Sequence, residues 1–137
     1  MSLIGYALRT AKQYYNPDTY KHALRVASFV ADNIFIPDSK MDNCIILAIM
    51  HDLEEDTNWD RNKCSELDKY LKESIGLITQ GKDISYIEYI KNIKENMVLY
   101  PEVYWVKIAD MKDHLTQTET LTDKLKEKYI EALPYLL

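Results

Sequence analysis

Few residues in this sequence could do chemistry, and their neighbours set them apart. Of the three histidines, His22 sits beside Ala23 and Leu24 in a helical apolar pattern. His51 directly follows the most hydrophobic run, Ile45-Ile-Leu-Ala-Ile-Met50, and is directly followed by Asp52. Asp110 lies in Val106-Lys-Ile-Ala-Asp-Met111, one helical turn beyond Val106 and on the same face. A buried carboxylate is expensive unless it is paired or coordinates a cation. Two imidazole nitrogens and two carboxylates from three helices would form a mixed nitrogen and oxygen site, the donor set that suits Mn, Fe, Zn or a related divalent ion. Taken singly, each residue also has a structural reading, as a hydrogen-bonded core histidine or a salt-bridged helix aspartate. Their joint intrusion into apolar stripes makes a metal site the candidate. Glu54, Glu55 and Asp56 follow at once. They read either as a solvated helix end, opposed to the helix dipole if they fall in the last turn, or as carboxylates that orient or deprotonate a water beside a metal.

The elements that must position these groups all read as helices. Leu3, Ala7, Leu8 and Ala11 predict an opening helix that stops near Tyr14-Tyr-Asn-Pro17, because proline disfavours helical geometry just before it. Asp18 or Thr19 is the expected cap of a second helix, whose buried stripe is Ala23, Leu24, Ala27, Val30, Ala31 and Ile34. Pro37-Asp-Ser39 interrupts the pattern. A third helix is expected from about Asp42, apolar on every face through Met50 and therefore central. A fourth is expected over Lys63 to Ser74, followed by Ile75 to Thr79 and a turn at Gln80-Gly-Lys-Asp83. Ser85 and Glu88 form a capping-box pattern for a helix to about Asn96 with Tyr86, Tyr89, Ile90 and Ile93 inward. Pro101 opens the helix that carries Asp110. The last helix starts near Thr120 or Thr122 and uses Leu121, Leu125, Tyr129 and Leu133. No stretch alternates with period two long enough for a strand. The expectation is all-α: residues 1–137 as a single compact bundle of seven or eight helices.

The composition narrows the class of partner. The 137 residues are 47% hydrophobic and 28% charged, which excludes general disorder. A formal charge of -5 without a basic patch argues against nucleic acid or an anionic membrane as primary partner. Cys44 and Cys64 are too few for a disulfide framework and fit a reducing cytosol. No apolar run approaches the ~20 residues of a membrane span, and the opening Met-Ser-Leu-Ile-Gly-Tyr has no signal-like pattern. A cytoplasmic protein is expected.

The order His22, His51-Asp52, Asp110 resembles that of the metal ligands in the HD superfamily of phosphohydrolases. More closely, His51-Asp-Leu-Glu-Glu-Asp-Thr57 resembles the His-Asp-x-x-Glu-Asp-Thr signature of the hydrolase domain in RelA/SpoT enzymes and their small stand-alone relatives. Val106-Lys-Ile-Ala-Asp110 is similar to that group's Val-Lys-Leu-Ala-Asp motif, and the likeness spans about Thr19 to Leu115. It implies an HD-type helical bundle and manganese-dependent release of the 3′-pyrophosphate from (p)ppGpp, a small-molecule nucleotide. It further implies His22, His51, Asp52 and Asp110 as metal ligands, Glu55 and Asp56 as the acidic pair acting on water, and Lys107 near the nucleotide or its phosphates. Lys21, Arg25 and Lys112 are further candidates to neutralise phosphate charge. Tyr86, Tyr89 or Trp105 could stack on a base, although a core role is the simpler reading for each.

Two positions depart from the family. His114 stands where Asn is usual, and a helix places it one turn beyond Asp110 on the same face. It is expected to meet the substrate or support the ligands rather than bind metal. Tyr20-Lys-His-Ala-Leu-Arg25 lacks the usual His-Pro. Both bear on nucleotide selectivity, leaving open an HD hydrolase for another nucleotide, such as a deoxynucleoside monophosphate. A non-catalytic helical binding module is the other alternative.

Overall fold

The computed structural model describes residues 2–137. Helices α1 (Leu3–Tyr14), α2 (Pro17–Ala31), α3 (Asp38–Met50), α5 (Lys69–Ile78), α6 (Tyr86–Glu95), α7 (Pro101–Thr116) and α8 (Asp123–Leu136) form the bundle. Between α3 and α5 lie a single helical turn, α4 (Leu53–Asp56), and a 3-10 turn at Arg61–Lys63. No strand occurs among the described residues, and no helix there is long and apolar enough to cross a membrane. The all-α bundle expected from the pattern is the observed one.

Helix α3 is the hub. It packs against α1, α2, α5 and α7, and Ile46 to Met50 are all buried, as a helix apolar on every face requires. Its C-terminal end is held from the residue that ends α1: the Tyr15 hydroxyl donates to the Ile49 carbonyl at 2.9 Å and accepts from the Asp52 N–H at 3.1 Å. Helix α7 lies against both α2 and α3. The middle of α7 therefore meets the start of α2 and the end of α3.

Several boundaries differ from expectation, each for a local reason. Asn16, not Asp18 or Thr19, caps α2: its side chain accepts from the Thr19 N–H at 2.8 Å, and Pro17 takes the first helical position, where no N–H is needed. Helix α2 ends at Ala31, so Ile34 cannot extend its stripe and is 87% exposed. Leu24 and Ala31 also face outward, while His22 and Val26 occupy buried positions. Helix α3 begins directly after Pro37, one turn earlier than expected. The stretch expected as one helix from Lys63 to Ser74 is split. Asp68 caps α5 by accepting from the Leu71 N–H, and α5 continues through Ile75–Ile78. Ser85 caps α6 through the Glu88 N–H, as the sequence pattern predicts.

Candidate metal centre

His22, His51, Asp52 and Asp110 come together where α2, α3 and α7 meet, with one donor atom from each lying within 4.8 Å of the others. His22 Nε2 is 2.8 Å and His51 Nε2 3.1 Å from the same oxygen, Asp110 Oδ1. Asp52 Oδ2 lies 3.2 Å from His51 Nε2 and 3.6 Å from His22 Nε2. His22, His51 and Asp110 are buried, and Asp52 is partly so.

The far side of each imidazole shows what the near side is prepared for. His51 Nδ1 lies 2.6 Å from the Ala48 carbonyl, which can only accept, so Nδ1 carries the hydrogen. His22 Nδ1 lies 2.6 Å from Asp113 Oδ2, a carboxylate that Arg25 Nε holds at 2.8 Å through its other oxygen. With both Nδ1 atoms donating, each imidazole in its neutral form would turn an Nε2 lone pair toward the carboxylate oxygens of Asp52 and Asp110. Such an array of acceptors calls for a cation at its centre. Donors about 2.1 Å from an ion stand roughly 3.0–3.4 Å apart around it, close to the 2.8–3.6 Å separations of the four histidine–carboxylate pairs. The donor set fits a divalent metal ion.

The electrostatics agree. Burial opposes ionisation of Asp110, but Lys107 and the hydrogen bonds of His114, His22 and His51 outweigh it and hold the carboxyl well below its usual range. Asp52 is lowered too: burial is overcome by His51 and His22. Burial disfavours protonated His22 and His51, yet the adjacent carboxylates raise both, His51 strongly. Protons thus compete for the place a divalent ion would take.

The acidic run divides into three roles. Glu54 accepts from the Arg61 side chain and, at 3.1 Å, from the Arg61 N–H, closing the loop after α4. Glu55 accepts from the Gln80 N–H, and its carboxyl is pushed up by partial withdrawal from water and by Asp52. Asp56 lines a cavity of about 490 Å3 together with His22, Asp52, Asp113 and His114. Its carboxyl is also raised, through partial desolvation and the negative charge of Asp52.

The expected substrate contacts scatter. Lys21 and Arg25 line the same cavity, Arg25 already tied to Asp113. Lys107 is buried, with Nζ 2.8 Å from Asp110 Oδ2 and 5.0–5.3 Å from the ring centroids of Tyr89 and Tyr86, so it neutralises Asp110 from behind. Its ammonium is held well above the usual lysine range, Asp110 overcoming burial. Tyr89 is a core residue whose hydroxyl donates to the Ile78 carbonyl. Tyr86 is only partly buried and packs edge-on against Tyr129. His114 Nε2 is 3.3 Å from Asp110 Oδ1, and its ring stacks on Tyr129 at 5.0 Å. Lys112 is not brought to the cluster: two residues beyond Asp110 is more than half a turn around α7, and its ammonium lies over Phe29, 4.6 Å from the ring centroid. Trp105 lines a separate cavity together with Phe29 and Lys112.

Sequence reasoning missed Asp113 and Tyr15. Asp113 stands in Met111-Lys-Asp-His114, which reads as polar surface, although it is fully buried. Its three-residue spacing from Asp110 was the available signal.

No protein-family model matches the sequence, and no curated protein matches it. Fold and site together define an all-helical protein whose His/His/Asp/Asp cluster resembles an HD-like metal centre and is able to hold a divalent ion.

Proposed function

We propose that the protein is a metal-dependent phosphohydrolase acting on a small nucleotide, with (p)ppGpp as leading substrate and pyrophosphate as product. The observation that carries the hydrolase reading is the convergence of two Nδ1-anchored histidines and two aspartates beside a cavity that also holds Asp56. The choice of (p)ppGpp rests on the His51-to-Thr57 and Val106-to-Asp110 motifs. Manganese is the proposed ion, and a cytoplasmic location accompanies a nucleotide substrate.

When bound, the ion supplies Lewis acidity toward a phosphoryl oxygen and an acidified water. The chain does the rest. His22, His51, Asp52 and Asp110 fix the geometry, with Asp113 and the Ala48 carbonyl setting the tautomers. Glu55 and Asp56 orient the attacking water and take its proton; their raised pKa values bring them nearer neutrality, as a general base requires. Thr57 shapes the turn that presents them, its hydroxyl donating to the Leu53 carbonyl at 2.5 Å.

A second reading, a nucleotidase for a less charged monophosphate, is favoured by the cavity wall. Asp18, Asp56 and Glu119 line it, with Lys21 the cation there that no carboxylate among the described residues holds. A product assay with Mn, Mg, Zn and Fe over (p)ppGpp and nucleoside monophosphates separates the two. Metal-dependent pyrophosphate release supports the first, phosphate release the second. Metal binding without either product indicates a binding module.

A further inference from the structure

Once the cations near the centre are sorted by what already holds them, two stand free: Lys21, in the cavity wall already described, and one on α8. Arg25 is bound to Asp113 and Lys107 to Asp110, while Lys112 faces away over Phe29. Lys128 has no ion-pair partner among the described residues. Its ammonium rests on an aromatic wall, 4.3 Å from the Tyr86 ring centroid and 5.5 Å from that of Tyr129. That wall is continuous with the metal centre on both sides. Tyr129 stacks on His114, which touches Asp110, and Tyr86 covers Lys107, which is bonded to Asp110.

From this geometry we infer that Lys128 is the contact for a phosphate group of the substrate, on the Glu55 side of the centre. The inference rests on the phosphohydrolase reading and extends it to a residue on an element that the metal ligands do not use. Two ammonium groups approach Tyr86, and among the described residues only the buried one is in direct contact with a carboxylate. An anion lying along the wall supplies the second. The aromatic faces hold the Lys128 ammonium in place before an anion arrives, so less side-chain freedom remains to be lost on binding. Partial desolvation and the like charge of Lys107 lower the Lys128 pKa from the usual lysine value, outweighing the attraction of Glu55 and Asp110. Lys124, one turn earlier on α8 and exposed, has no such wall and serves as control.

The test uses the full chain and two titrations. Manganese is titrated first, then inorganic pyrophosphate into the manganese-loaded protein, for wild type, Lys128→Ala, Lys128→Arg and Lys124→Ala. Expected are unchanged manganese affinity throughout, pyrophosphate affinity about tenfold weaker in Lys128→Ala, largely restored in Lys128→Arg, and unchanged in Lys124→Ala. Equal losses in Lys128→Ala and Lys124→Ala would reduce the effect to net charge and overturn the assignment, as would pyrophosphate affinity unaltered in Lys128→Ala or absent in wild type. A wild-type protein that takes up no manganese would instead strike the metal-centre reading itself, and the Lys128 assignment with it.

Discussion

His22 and Asp113 are joined by a 2.6 Å hydrogen bond between helices α2 and α7, and that bond fixes which imidazole nitrogen faces the cluster. Arg25, one turn beyond His22 on α2, holds the other Asp113 oxygen at 2.8 Å. Burial alone would raise the Asp113 carboxyl, but Arg25 and His22 lower it below the usual range, so it stays an acceptor at neutral pH. The arrangement is a carboxylate–histidine pair directed at a metal position.

Removing that support should weaken metal binding without unmaking the fold. Asp113→Ala is expected to lower manganese affinity by about 10- to 100-fold, the usual scale for such supporting partners. Asp113→Asn retains an acceptor oxygen and should lose less. Metal titration with helical content followed in parallel measures both. An Ala variant with native affinity would show that the His22 tautomer needs no such help.

The pH dependence of stability should reverse between metal-free and metal-loaded protein. In the metal-free state His22 and His51 have folded pKa values raised above the unfolded value of about 6.5. Their contribution is complete below that pH and is lost as pH rises through the folded values. Metal binding requires both to be deprotonated, so its stabilisation grows over the same interval. The gap in Tm between loaded and metal-free protein should widen from pH 6 upward. A constant gap from pH 6 to 9 would contradict a site built on these two histidines.

How much of this was readable follows from where each signal lives. His22, His51 and Asp110 announced themselves because polar residues in apolar helical stripes demand a reason. Asp113 did not, since its burial is created by α2, which supplies both His22 and Arg25 across the interface. Glu102 is similar: it reads as an ordinary first-turn acid, yet it is 2% exposed, accepting from the Tyr70 hydroxyl with Lys40 3.7 Å away. Lys128 sits on an exposed stretch of α8, and only the packing of Tyr86 against Tyr129 gives it a place. The cap at Asn16 was hidden by two equally suitable residues just after it, Asp18 and Thr19. Pattern thus reported what a helix buries along its own length, whereas pairings between helices depended on the packing.

Glu55 and Asp56 can be separated from the metal ligands by isosteric change. Glu55→Gln keeps an oxygen able to accept from the Gln80 N–H, and Asp56→Asn keeps the cavity shape. Each should lower kcat by about 10²-fold or more, the scale of a lost general base, with metal content unaltered. Turnover at wild-type rate in both variants would reduce the acidic run to a solvated helix end.

Tyr15 should matter to the site although it is not expected to touch substrate. Its hydroxyl ties the Ile49 carbonyl to the Asp52 N–H, bracketing the turn that presents His51 and Asp52. Tyr15→Phe leaves the ring and removes both bonds, which should cost about 1–3 kcal/mol of stability. It should also lower metal affinity, because Asp52 loses its backbone anchor. Denaturant unfolding and metal titration of the same variant provide the two readouts. A stability loss with no change in metal affinity would confine Tyr15 to the core.

His114 offers the sharpest test of selectivity. Its side chain is 38% exposed, with Nε2 3.3 Å from Asp110 Oδ1 and its ring stacked on Tyr129. It therefore stands between the ligand cluster and the aromatic wall, lining the cavity a substrate would enter. Asn carries two donors and one carbonyl acceptor on a shorter side chain. His114→Asn would exchange the imidazole for an amide there and remove the stack that extends to Tyr129. Asp110 keeps Lys107, His22 and His51 as partners in the variant, so metal content should hold. The ratio of activities on (p)ppGpp and a deoxynucleoside monophosphate should shift about threefold to tenfold, the value of one hydrogen bond gained or lost. The shift is expected toward (p)ppGpp, because Asn restores the residue usual in the enzymes that this motif resembles. A histidine that merely faces solvent predicts the same ratio in both proteins, and that result would remove His114 from the account of selectivity.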